Sequence, residues 1–145
     1  MAAEPIIRQA DARAFLDKLD SDLGNGAKVK IYSGTAPATC EDAATGSVLA
    51  TAAAGGGVTL FDAATGTTTA SIALSAAVSD TSAPLAGTNT AGYFRLYDSA
   101  ETNCYFQGTV GAVGSGDDLE LASTSITQGD TVTISLLTIS LPTGG

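Results

Sequence analysis

The hydrophobic period of the chain changes at Gly24-Asn25-Gly26, and that change constrains the fold more than any other feature. Over residues 11–23, Ala12, Phe15, Leu16, Leu19 and Leu23 recur at three- and four-residue steps, with Asp17, Lys18, Asp20 and Asp22 between them. This is the pattern of an amphipathic helix. Gly24 and Gly26 supply the left-handed conformations that end it, and Pro5 or Asp11 offers its start. Downstream the period is two, the signature of half-buried strands.

Residues 27–33 place Val29 and Ile31 on one face and Lys28, Lys30 and Tyr32 on the other. Residues 47–53 and 57–62 read as weaker strands, and 67–75 as another with Ala70, Ile72 and Leu74 inward. Pro84 and Gly87 mark residues 78–90 as a loop. Residues 92–98 and 103–110 flank a turn at 99–102 and read as an antiparallel hairpin; Leu119 and Leu121 mark a short strand. The closing segment, residues 130–141, alternates Val132, Ile134 and Leu136, then resumes one residue out of step with Leu137, Ile139 and Leu141. Such a shift signals a bulge or a strand that passes from one sheet to another.

The expected fold is therefore all-β: a β-sandwich or jelly roll of about eight antiparallel strands with one short N-terminal helix. The 145 residues suit a single domain, with an arm and helix at 1–26 and the β body at 27–145. Asp-Ala-Ala-Thr-Gly occurs at 42–46 and again at 62–66, each time leading into a strand. We read it as one turn solution used twice, with Asp capping the turn and Gly taking positive φ.

Composition narrows the function. Fifteen Asp and Glu against six Lys and Arg give a net charge of −9, which disfavours nucleic acid and anionic membrane as partners. Charged residues make up only 14% of the chain, so much of its surface must be Thr, Ser and backbone, a surface suited to burial against other proteins. The start of the chain lacks the basic and apolar regions of a signal peptide, and synthesis in the cytoplasm is expected. There is no His, which removes the Ser-His-Asp and Cys-His constellations, and no catalytic residue, cofactor or metal ligand is assigned.

Asp117, Asp118 and Glu120 are the densest acidic cluster, without the spacing of a calcium loop, and read as a polar turn. Gly55-Gly56-Gly57 lacks the Lys-Ser/Thr ending of a phosphate loop and reads as a hairpin tip. Tyr93, Phe94, Tyr97, Tyr105 and Phe106 read as cross-strand pairs rather than a stacking platform for sugars or bases. Cys40 and Cys104 read as buried reduced thiols, with a crosslink formed after release from the cell as the alternative.

The strand motifs also carry a resemblance. Val29-Lys30-Ile31-Tyr32-Ser33-Gly34-Thr35-Ala36-Pro37, Ala43-Ala44-Thr45-Gly46-Ser47-Val48-Leu49-Ala50-Thr51, Thr90-Ala91-Gly92-Tyr93-Phe94-Arg95-Leu96-Tyr97-Asp98, Gln107-Gly108-Thr109-Val110-Gly111 and the closing strand at 129–142 together resemble a family of small virion proteins of tailed bacteriophages. The resemblance covers most of residues 28–142. It implies a structural role, with capsid decoration (cement) the favoured placement, on the outer surface of the particle. It further implies the major capsid protein as partner and a dimer or trimer on the capsid. Tail, neck or fibre placement is the runner-up, and a carbohydrate-binding sandwich a more distant one. Phe15, Leu16 and Leu19 are the candidate partner contacts, should the helix dock on a neighbour instead of its own β body.

Overall fold

The computed structural model describes residues 7–66 and 69–142. It is mostly β, with one helix, α1 (Gln9–Leu23), followed by ten strands. The helix opens between the two starts read from the sequence, and Gly24, at φ 67°, ends it; Pro5 lies outside the described residues.

The large sheet has the order β2 (Val48–Ala53), β1 (Lys28–Ser33), β5 (Thr88–Tyr97), β6 (Cys104–Ala112) and β7 (Leu119–Leu121). β8 (Ser125–Thr127) joins it by pairing with the first residues of β5. Two separate ribbons complete the fold: β3 (Thr69–Ala73) with β10 (Thr138–Pro142), and β4 (Val78–Asp80) with β9 (Val132–Ile134). One core unites them, taking Leu16 from the helix, Val29, Ile31, Phe94 and Leu96 from the sheet, and Ile72, Ile134 and Ile139 from the ribbons.

The expected 92–98/103–110 hairpin is β5–β6, and the closing segment divides where its period slips. β9 pairs with β4 and β10 with β3, while Leu136 between them points outward and Leu137 is buried. The slip is thus a passage from one ribbon to the other, which turns alternate faces of the chain toward one core.

Three expectations need correction. Among the described residues there are ten strands in three sheets, and β6 and β7 run parallel, Val110 facing Leu119 and Ala112 facing Leu121, so the strands are not all antiparallel. Residues 78–90, expected as a loop, contain β4 and the start of β5, because pairing with β9 and β8 supplies backbone partners that local sequence cannot reveal. Residues 57–62 form no strand, only isolated bridges at Thr59 and Phe61.

The repeated pentapeptide behaves as one turn in its glycines. Gly46 and Gly66 have φ of 71° and 111°, and a Cβ on either would run into the carbonyl oxygen of Ser33 or Thr69. The Asp positions differ. Asp42 accepts hydrogen bonds from the Thr39 N–H and hydroxyl, one turn upstream, whereas the Asp62 N–H donates to the Ala73 carbonyl.

Candidate functional site

The polar face of the large sheet is not left to water. Tyr93, Arg95 and Tyr97 of β5 lie on it beside Tyr32, Lys30 and Lys28 of β1 and Gln107 of β6, in register across the strands. The loop of residues 34–47 is clasped to this face. Arg95 donates from Nε to Gln107 Oε1 (3.1 Å), from Nη1 to the Asp42 carbonyl (2.9 Å) and from Nη2 to the Thr39 carbonyl (3.3 Å). Gln107 in turn donates to the Pro37 carbonyl at 2.8 Å. The Tyr93 hydroxyl donates to the Thr45 carbonyl (2.6 Å) and accepts from the Thr45 N–H (2.9 Å).

A disulfide between Cys40 and Cys104 closes this clasp, with Cα atoms 5.4 Å apart. This overturns the reading of two reduced buried thiols. Residues 64 apart in sequence are brought together because Arg95 holds the carbonyls on either side of Cys40 next to the start of β6.

Glu101 completes the face from the β5–β6 turn. Its φ of 58° is left-handed, uncommon outside glycine, and its carboxylate accepts from Lys28 Nζ (3.2 Å) and Lys30 Nζ (2.9 Å). The Lys30 hydrogen bond, aided by Lys28, holds the Glu101 carboxyl below its ordinary value against the opposing effect of burial. Tyr32 stacks on Tyr93 with ring centroids 4.9 Å apart, and its hydroxyl meets that of Tyr97 at 3.1 Å. Burial, and then that hydrogen bond, push the Tyr32 phenol well above its ordinary value. The aromatic group is therefore divided between the two faces of the sheet: Tyr32 and Tyr93 are buried under the loop, Phe94 is buried in the core beside Phe106, and the ring faces of these three buried residues are not displayed to a flat ligand.

The three candidate contacts of α1 part company. Leu16 is 1% exposed and belongs to the protein's own core, Leu19 is partly buried against that core, and Phe15 is 60% exposed. The helix packs on β3 and β10, and its Asp20 and Asp17 carboxylates accept the Phe61 and Ala64 N–H groups at 3.2 and 2.7 Å. Burial raises the Asp20 carboxyl above its ordinary value despite the Phe61 hydrogen bond. Leu16 thus packs on the protein's own β body, Leu19 does so in part, and Phe15 faces outward.

The acidic cluster folds back on its own backbone. Glu120 accepts the Gly114 and Gly116 N–H groups (3.1 and 3.0 Å), which hold its carboxyl below its ordinary value. Asp118 accepts the Thr109 N–H and hydroxyl (2.9 and 3.2 Å). Beside this turn lies a groove of about 690 Å³, lined by residues of β7, β8 and β9 and the loops around them, with Val113 and Leu136 at 74% and 69% exposure. Sequence reasoning missed both this groove and the clasp. The clasp had a signal, a lone cation inside the apolar run at 93–97, but the groove brings together residues 113–138 with no local mark.

No family model, curated protein or solved structure matches the chain. No group of three or more potential metal-binding side chains gathers among the described residues, and no helix there is long and apolar enough to cross a membrane.

Proposed function

We propose that the protein is a non-catalytic structural component of a bacteriophage particle, a decoration protein that binds the major capsid protein lattice and reinforces the shell. The observation that carries this reading is the clasp. Its arginine, glutamine, tyrosine and cysteine side chains are spent on fixing one loop to one sheet, which makes a rigid body rather than a reactive centre. The disulfide also suits a protein that works outside a reducing cytoplasm, as a released particle does. The sequence resemblance supplies the virion context, and a mostly β body with a single core shared between a large sheet and two ribbons is compatible with it. Net charge −9 favours basic patches on a shell and keeps free copies apart.

Counting copies in purified particles by quantitative mass spectrometry tests the placement. Hundreds per particle are expected of a lattice-decorating protein. Six, twelve or a few dozen would move it to the neck, tail or fibre, and absence from particles would end the virion reading.

A further inference from the structure

The groove beside β7 and β9 has a chemistry of its own. Its lining includes the core residues Leu121, Ile126, Val132 and Leu137, and the exposed Val113 and Leu136 extend this apolar surface outward. Asp117, Asp118, Glu120 and Asp130 also line it, and no Lys or Arg does. None of these four carboxylates enters an ion pair among the described residues. The bonds that Asp118, Glu120 and Asp130 accept come from backbone N–H groups and a hydroxyl, which orient a carboxylate without cancelling its charge. β7 pairs only with β6, and β9 only with β4, so each is an edge strand among the described residues.

We propose that this groove receives an extended segment of a partner protein in which apolar residues alternate with Lys or Arg. The inference rests on the structural-protein reading above and names the surface through which it would act. An extended chain places alternate side chains on opposite sides, so one set reaches the apolar lining near Leu136 while the other meets the carboxylates, and its backbone is free to pair with an edge. A second copy of this chain is poorly suited to the role. Of its six cations, Arg8 and Lys18 are ion-paired within α1 or beside it, Lys28 and Lys30 bind Glu101, Arg95 is sealed in the clasp, and Arg13 lies within the helix, so none sits in an extended segment that alternates cations with apolar residues and is free to enter the groove.

The full-length protein can be titrated with a blocked heptapeptide alternating Val and Lys, and with its counterpart carrying Glu for Lys, following backbone amides by NMR. The Lys peptide should shift the amides of residues 117–121 and 131–136, bind roughly tenfold or more tightly than the Glu peptide, and weaken as salt is added. Leu136→Ser and Asp117→Asn should each weaken it while circular dichroism stays unchanged. Equal binding of both peptides, binding of neither, or shifts confined to another surface would overturn the proposal. So would a wild-type dimer in sedimentation that Leu136→Ser dissolves, since the groove would then belong to a second copy. The peptide result stands apart from the virion reading: discrimination between peptides by a protein absent from particles would sink that reading alone. Particles that take up Leu136→Ser as fully as wild type would sink the groove alone.

Discussion

Arg95 is 2% exposed and meets carbonyl and amide oxygens instead of a carboxylate. A buried cation held this way depends on the fork of the guanidinium, which reaches Gln107, Asp42 and Thr39 together; a lysine ammonium has one point of charge and cannot. Arg95→Lys should therefore destabilise the fold by about 1–3 kcal/mol through the acceptors it strands, measured as a shift of the urea midpoint. Glu101 sets a pH dependence. Its carboxyl binds a proton less readily folded than unfolded, so its contribution is complete above the ordinary value of 4.5 and disappears as pH falls through the lower folded value. Stability should fall as pH drops below 4.5 and through the lower folded value, and Glu101→Gln should fall less, its Lys28 and Lys30 pairing being already absent. Lys30 sits on the face that alternation alone would leave in solvent. Because Glu101 pairs with it and the Tyr97 ring lies against it, Lys30→Ala should cost about 0.5–1 kcal/mol rather than nothing.

At the scale of elements, the helix and the clasp make opposite demands. Leu16→Ala should cost about 2–5 kcal/mol, as should Ile134→Ala in β9, because both side chains are buried in the shared core. Phe15→Ser should change stability by no more than a few tenths of a kcal/mol, within the range for exposed positions. Breaking the disulfide by Cys40→Ser with Cys104→Ser should cost about 2–4 kcal/mol, since it frees a long loop in the unfolded chain. These elements also show how far the residues can be read alone. The β5–β6 hairpin, β1 and the passage at Leu136 and Leu137 were legible, because each is written in alternation along a continuous stretch. The short β4 and β8 and the clasp were not, since each depends on partners dozens of residues away; the parallel direction of β6–β7 was not either, since partners nine residues apart ordinarily pair antiparallel. The cysteine pairing was hidden for the same reason: two thiols 64 residues apart carry no spacing that distinguishes a bridge from two core side chains.

The whole molecule is a disulfide-stapled β body that carries an acidic groove with an apolar lining. Under the proposed function such a body would reinforce a shell by many modest contacts, each made at high effective concentration once its neighbours are in place. A ligand of this kind stabilises the assembled state without being needed to reach it. The most direct measurement is the heat release of packaged DNA from particles made without this protein, compared with wild type. Particles lacking it should assemble, fill, and release their DNA at a lower temperature, with stability restored when purified protein is added back. Particles equally resistant to heat, yet unable to join tails or adsorb to cells, would contradict the account.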